Sequence, residues 1–279
     1  MKLPSGQFLD FSGPALVMAI VNCNEDSFYA PSRALGEEAV EKALTAEKEG
    51  AAIVDFGAES SRPGASYIGE EEELKRLIPV ISAFRKRSSL PVSVDTRKAA
   101  VAGAAIDAGA DMINDISALG DDPEMAAICA KKGAAVVLMH KKGVPLTMQE
   151  APFYSNVAEE ISAFFKDAAK RALAAGIPAE KIILDPGIGF GKGLKDNLQI
   201  IRLLAEICGK DYPILVGLSR KSFIGEITSH SVARDAEDRL AGTLAANAAA
   251  ILAGADIIRV HDVKEHVDLA RVLFSITRE

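Results

Sequence analysis

One local pattern occurs five times along the chain: a stretch of helical periodicity, a glycine, and then a short apolar run. A glycine just after a helix readily takes the left-handed conformation that ends many helices, so each glycine marks the change from helix to strand. Three further apolar runs, ALVMAIVN, LPVSVDT and PILVGLS, bring the predicted strands to eight. The five glycines are Gly50, Gly109, Gly133, Gly176 and Gly254.

Strands that are apolar on both faces and alternate with amphipathic helices predict a parallel sheet. Eight strand–helix units in 279 residues fit a single α/β domain, a (β/α)8 TIM barrel that spans residues 1–279. An open doubly wound sheet is the alternative. Such a sheet normally carries a glycine fingerprint after its first strand, and VMAIVNCNEDSF contains none.

Composition excludes several classes of partner. The net charge of −7 does not favour nucleic acid or an anionic membrane. The stretch MKLPSGQFLDFSG lacks a signal-peptide pattern, and no apolar run reaches the roughly 18 residues that span a bilayer. The three cysteines are widely spaced and form no C-x-x-C pair, which indicates neither a disulfide framework nor a zinc knuckle. We therefore expect a cytoplasmic protein.

Polar side chains end every predicted strand. In a barrel of this kind the active site lies at the carboxyl ends of the strands. A single Asp or Asn there is often a helix N-cap, but eight strands out of eight indicate a site. Acids and amides on the middle strands suit a ring with N–H donors, and cations on the last two strands suit phosphate. The strand-end residues are Asn22, Asp55 and Glu59, Asp95 and Thr96, Asn114 and Asp115, His140, Asp185, Ser219 to Lys221, and Arg259 to Asp262.

The glycine-rich stretch LDPGIGFGKG, residues 184–193, looks at first like a nucleotide-binding loop. It fits neither the P-loop pattern nor the dinucleotide fingerprint. We expect it to follow the sixth strand, with Asp185 pointing into the barrel mouth and the glycines allowing a close backbone approach or a sharp turn. For Lys192 two positions stay open, one facing a ligand and one in solvent.

Eight motifs stand at the ends of the predicted strands. In order, they are NCNEDSF (22–28), ESSRPGA (59–65), SVDTRK (93–98), INDIS (113–117), LMH (138–140), LDPGIGFGK (184–192), GLSRKSFIG (217–225) and RVHDV (259–263). Taken together, these motifs resemble the dihydropteroate synthase family of folate biosynthesis over nearly the whole chain. This resemblance implies a transferase that joins 6-hydroxymethyl-7,8-dihydropterin diphosphate to p-aminobenzoate and releases pyrophosphate. Two alternatives remain: a pterin-dependent methyltransferase on the same barrel, and a non-catalytic pterin-binding homologue.

The resemblance also implies roles for individual residues. It places the pterin ring on Asp95, Asn114, Met139, Asp185 and Lys221. It places the diphosphate on Asn22, Ser61, Arg259 and His261, with Asn22 as a ligand of Mg²⁺, and p-aminobenzoate on Arg62, Pro63, Phe190, Lys221 and Ser222. The residues closest to the chemistry are then Asp95, Lys221, Arg259 and His261, and no protein nucleophile is required. Ser222 is also a candidate N-cap of the following helix.

Some residues depart from the family pattern. Asn24 and Glu25 stand where the family commonly has Thr-Pro, Ser61 where Thr is usual, and Gly193 where Thr is usual. We hypothesise normal pterin binding together with altered ordering of the first loop or altered handling of p-aminobenzoate and sulfonamides. Equal inhibition of this protein and an Asn24→Thr/Glu25→Pro variant would exclude that idea. The family also implies a homodimer through the last helices, where the Ala-rich stretch 239–254 can alternatively pack on the barrel itself.

Overall fold

The computed structural model describes residues 1–23, 32–59, 68–143, 148, 152–229 and 233–277. Its eight strands are hydrogen-bonded in the order β6-β5-β4-β3-β2-β1-β8-β7, and every pair is parallel. The strands are β1 (Leu16–Asn22), β2 (Ile53–Gly57), β3 (Val92–Asp95), β4 (Met112–Asp115), β5 (Ala135–Met139), β6 (Ile182–Asp185), β7 (Leu215–Val216) and β8 (Ile257–Val260).

Helices follow the strands and cover the outside of the sheet. They are α1 (Ser32–Lys48), α2 (Glu70–Arg85), α3 (Ala99–Asp107), α4 (Met125–Lys132), α5 (Val157–Ala174), α6 (Leu194–Arg202), α7 (Leu204–Cys208), α8 (Ser222–Ile227), α9 (Leu240–Leu252) and α10 (Val263–Thr277), with 3-10 turns at Ala179–Lys181 and Ala236–Arg239. This alternation confirms the predicted (β/α)8 barrel and excludes the open sheet.

The sheet closes between β6 and β7. An isolated parallel bridge joins Leu184 to Ile214, and the Leu184 N–H donates to the Pro213 carbonyl at 2.9 Å. The seventh strand is shorter than the run PILVGLS suggested, because the chain turns away after Val216 and Arg220 adopts a left-handed φ of 57°. The turn directs the residues after β7 towards the strand ends.

The five predicted helix-ending glycines all have positive φ, between 67° and 112°. Helix α5 has a side-chain cap at its amino end. The side chain of Asn156 accepts hydrogen bonds from the N–H groups of Ala158 and Glu159, two of the donors that a helix start leaves unpaired. Local sequence chemistry thus sets where these helices begin and end.

Two apolar cores support the barrel. The larger lies between the sheet and the helices; the smaller fills the barrel near the amino ends of the strands and includes Met18, Ile53 and Ile183. A bridge between Lys2 and Phe8 forms a short hairpin whose Leu3 and Leu9 join the inner core. The amino end of the barrel is therefore closed by apolar packing, and the opposite end is left for polar groups. Among the described residues, no helix is long and apolar enough to cross a membrane.

Candidate active site

A buried charge cluster lies at the carboxyl ends of β2, β3, β4 and β8. The Arg259 guanidinium donates through Nε to Asp55 at 2.6 Å and through Nη2 to Asp95 at 3.1 Å. Asn114 donates its amide to the same Asp55 oxygen at 3.2 Å. The sheet register aligns Asp95 with Asn114, so inward-facing residues of neighbouring strands meet here.

Burial controls the electrostatics of this cluster. It raises the pKa of Asp95 to about 7, against the opposing effect of Arg259 and with help from the negative charge of Asp55. The other oxygen of Asp55 and the amide oxygen of Asn114 are buried and have no hydrogen-bond partner among the described residues. Buried acceptors without partners are costly, so these two oxygens are available to a ligand that brings N–H donors.

The glycine-rich loop after β6 holds Asp185 beside this cluster. The Gly187 N–H donates to Asp185 at 2.7 Å. Burial raises the pKa of the Asp185 carboxyl, while this hydrogen bond and the charges of Lys221, Lys192 and Arg259 lower it. Asp185 also aligns with Met139 in the register of β5 and β6, and both side chains are buried. The structure therefore brings together Asp185 and Met139, two residues that the family resemblance assigns to the pterin ring.

Two glycines of this loop pack directly against the chain that follows β5. A Cβ on Gly187 would lie 2.0 Å from the His140 carbonyl oxygen, and a Cβ on Gly191 would lie 2.0 Å from that of Lys142. Both have left-handed φ values, 64° and 66°. The glycines therefore serve a close backbone approach within the protein.

Lys192 occupies neither of the two positions left open by the sequence. It is 2% exposed, and its ammonium donates to the carbonyls of His140, Gly187 and Phe190 at 3.1, 2.9 and 3.1 Å. Burial lowers its pKa to about 7, although Asp185 opposes that effect. The loop that resembled an anion-binding loop is instead held together by its own lysine.

Lys221 and Phe190 form one wall of the site. The Lys221 ammonium donates to the Ile188 carbonyl and lies 4.6 Å from the centre of the Phe190 ring. Burial lowers the pKa of Lys221 to about 8, against the effect of Asp185. Ser222 is exposed at the first position of α8, whose N-cap is Lys221. The suggestion that Ser222 is the N-cap is therefore wrong, because the helix starts one residue earlier than that role requires.

The loops after β7 and β8 are tied to each other. Ser219 and the exposed His261 share a 2.9 Å hydrogen bond through Nδ1, and Arg220 donates to Asp262 at 3.0 Å. The Arg220 N–H donates to Thr243 at 3.1 Å, which holds the left-handed turn from α9. The two loops that carry His261 and Lys221 are thus hydrogen-bonded to each other.

Other strand-end residues have structural roles. Asp115 accepts from Ser117 and from the Leu119 N–H, which folds its own loop. Burial lowers the pKa of His140 to about 3, and the ring packs edge-on against Phe164 at 4.8 Å. Glu59 binds Arg97 and Lys98, which joins the loops after β2 and β3. These groups therefore support the loops that surround the site.

Asn22 is exposed at the end of β1, and its amide oxygen is the kind of ligand that Mg²⁺ accepts. Within the described residues, no group of three His, Cys, Asp or Glu side chains can hold a metal. Ser61, Arg62 and Pro63, as well as Asn24 and Glu25, lie outside the described residues.

Two important residues received no role from the sequence. Asp55 was noted only as a strand-end acid, although it is the fully buried partner of both Arg259 and Asn114. Lys192 was noted only as part of the glycine loop. The regular two-residue periodicity of β2 places Asp55 inside the barrel and was the one available signal for it. No local signal reveals the carbonyls around Lys192.

Comparisons with known proteins agree with this geometry. The profile of the family described as Pterin binding enzyme matches residues 18–261. The dihydropteroate synthase of Escherichia coli is 44% identical over 98% of this chain and 95% of its own length.

Solved structures agree as well. A Xanthomonas albilineans dihydropteroate synthase with 4-aminobenzoic acid is 40% identical and superposes with a TM-score of 0.90 over 99% of this chain and 97% of that one. The enzyme from the same organism in complex with 7,8-dihydropteroate is 38% identical, with a TM-score of 0.88 over 100% of both chains. The chain therefore belongs to the pterin-binding enzyme family, among the dihydropteroate synthases.

Proposed function

We propose that this chain condenses 6-hydroxymethyl-7,8-dihydropterin diphosphate with p-aminobenzoate, forming 7,8-dihydropteroate and pyrophosphate. The observation that carries the proposal is a set of buried acceptors at the barrel mouth that have no hydrogen-bond partner among the described residues. The free oxygens of Asp55 and Asn114 lie beside the carboxylate cluster, where a ring with several N–H donors satisfies them.

The pterin ring is bound through its edge. Asp185 accepts from ring N–H and amino groups, and Asn114 both donates and accepts. Asp95 contacts the ring from β3, Met139 packs against it, and Lys221 donates to ring acceptors. Because Asp95 and Asp185 have raised pKa values when buried alone, ligand N–H donors also stabilise their ionised forms.

The diphosphate is bound by cations at the strand ends. Arg259 exchanges its longer contact, to Asp95, for a phosphate oxygen and keeps the shorter one, to Asp55. His261 and, from the loop after β2, Ser61 complete the set. Asn22 would hold Mg²⁺, which when bound supplies charge neutralisation to the diphosphate.

The reaction breaks the bond between the pterin methylene carbon and the diphosphate oxygen, and the oxygen leaves with the electron pair. Positive charge preorganised around the leaving oxygens stabilises this step. The aromatic amine of p-aminobenzoate then bonds to the carbon and loses a proton. The protein's contribution is orientation and electrostatic stabilisation, so none of the three cysteines is needed as a nucleophile.

p-Aminobenzoate lies in the slot formed by Phe190 and Lys221, with its carboxylate at Ser222. The serine hydroxyl and backbone N–H, exposed at the start of α8, are free of the N-cap role. The family resemblance also assigns Arg62 and Pro63 to p-aminobenzoate. A similar structure from Xanthomonas albilineans contains 4-aminobenzoic acid, which supports this second substrate.

The homodimer and the cytoplasmic location also belong to this proposal. Leu252 at the end of α9 and Val272 and Ile276 on α10 are large apolar side chains that are more than half exposed. A second copy of the chain covers them in the proposed dimer. Free thiols at Cys23, Cys129 and Cys208 are compatible with a reducing compartment.

The experiment is a product assay with two pterin substrates, the diphosphate and the corresponding alcohol, each with p-aminobenzoate and Mg²⁺. We expect 7,8-dihydropteroate from the diphosphate only, since the alcohol lacks the leaving group. Binding of both pterins without any product would identify a non-catalytic homologue and contradict the proposal.

A further inference from the structure

Lys192 is a buried cation to which the proposed reaction assigns no task. Its three carbonyl partners come from two different segments: His140 follows β5, whereas Gly187 and Phe190 belong to the loop after β6. A single ammonium group therefore joins the two loops.

The two loops are in contact along their backbones as well. Gly187 and Gly191 approach the carbonyls of His140 and Lys142 so closely that a Cβ would overlap them. The carbonyl oxygens of His140, Gly187 and Phe190 converge on one ammonium group, and its positive charge offsets the repulsion between their partial negative charges. Tyr154 adds a second link between the segments through its hydroxyl, which donates to the Gly191 carbonyl at 2.9 Å.

The same ammonium is connected through Gly187 to the carboxylate that faces the pterin site, because Lys192 donates to the Gly187 carbonyl and the Gly187 N–H donates to Asp185. Asp185 and Asp196 are the acids whose charges act on Lys192, and Lys221 and Lys142 are the bases. Asp185 in turn is influenced by Lys221, Lys192 and Arg259. Lys221 and Arg259 both face substrate in the proposed function, whereas Lys192 is 2% exposed and its ammonium is bound to carbonyls of the protein itself.

We propose that Lys192 is a positioning residue of the pterin site: its ammonium joins the loops after β5 and β6 and serves as a counter-charge of Asp185. This proposal rests on the proposed function, because it takes Asp185 as the acceptor of the pterin edge. Lys192 acts through Asp185 and Phe190 and does not touch the substrate.

The test is the affinity for 6-hydroxymethylpterin between pH 6 and pH 9, measured by titration calorimetry on the wild type and on Lys192→Met. Loss of the charge makes Asp185 harder to ionise, so we expect affinity to fall about tenfold at pH 6. Above a pH of about 7 the wild-type lysine itself loses its proton. The ratio of the two affinities should therefore shrink to within about threefold at pH 9. The ligand's own titration is common to both proteins.

Lys181→Met is the matched control, because it also removes a lysine and a hydrogen bond to a carbonyl, that of Lys2, but at the amino end of the barrel. We expect it to retain the wild-type affinity at every pH. Lys192→Arg, which keeps the charge, should move the pH profile back towards the wild type.

A ratio for Lys192→Met that is the same at every pH, or an affinity equal to the wild type, would overturn the proposal. If Lys192→Met does not fold, Lys192→Gln replaces it, since the amide retains a donor. Failure of both neutral variants to fold would show a general structural role and also overturn the proposal. Absence of pterin binding in the wild type would instead contradict the proposed function, and this inference with it.

Discussion

Substituting Gly187 by alanine tests the packing of the two loops most sharply. The left-handed φ of 64° costs an alanine about 1–2 kcal/mol. The new Cβ would also lie 2.0 Å from the His140 carbonyl oxygen, a backbone atom that Lys192 holds. Overpacking of this kind costs about 1–3 kcal/mol. We therefore expect Gly187→Ala to lower the free energy of unfolding by about 2–5 kcal/mol in total, or to displace the loop that carries Asp185.

Gly133→Ala separates the two contributions. Gly133 has nearly the same φ, 67°, but an added Cβ there meets nothing within 4 Å. Urea denaturation of both variants compares the free energies of unfolding, and calorimetry with 6-hydroxymethylpterin compares the affinities. Gly133→Ala should lower the free energy of unfolding by about 1–2 kcal/mol and should bind 6-hydroxymethylpterin with the wild-type affinity. The reasoning is refuted if Gly187→Ala is no less stable than Gly133→Ala and also binds pterin with the wild-type affinity.

Three further predictions concern the charge cluster and the second substrate. Arg259→Met leaves the fully buried Asp55 without its cation, so urea denaturation should show a loss of about 3–5 kcal/mol in the free energy of unfolding. Adding Asp55→Asn to the same chain should restore part of this loss without restoring turnover. Because the pKa of Asp95 is raised to about 7, the folded state binds more protons than the unfolded state between about pH 4 and pH 7, and stability falls as pH rises through that window. Asp95→Asn should therefore gain stability relative to the wild type as pH rises, and a denaturation midpoint that shifts equally for both proteins contradicts this. Ser222→Ala should raise the KM for p-aminobenzoate about tenfold and leave pterin affinity unchanged; an unchanged KM would remove Ser222 from the slot.

The sequence alone predicts the architecture because its signals are local. The glycine after each of five helices and the apolar strands recur along the chain, and each can be recognised within about ten residues. The inward position of Asp95, Asn114 and Asp185 follows from strand periodicity in the same way. The end of β7 was misjudged, since Arg220 turns the chain through contacts with Thr243, from α9, that no local pattern shows.

The parts of the site that the sequence does not predict depend on contacts between residues that are distant in sequence. Arg259 meets Asp55 across 204 residues, and Lys192 reaches His140 across 52. The local sequence does not distinguish a lysine buried among carbonyls from a lysine in solvent or a lysine bound to a phosphate. For this reason the glycine-rich loop suggested an external anion, whereas its lysine serves the protein's own backbone.

The most direct test of the account is the release of pyrophosphate from 6-hydroxymethyl-7,8-dihydropterin diphosphate and Mg²⁺, measured with and without p-aminobenzoate. Release is expected to depend on p-aminobenzoate and to be lost in Asp185→Asn, where an amide with one acceptor oxygen and an NH2 donor replaces the carboxylate that accepts from the pterin edge. Pterin binding with no release under either condition would contradict it, and would identify a protein that keeps the pterin site without the reaction.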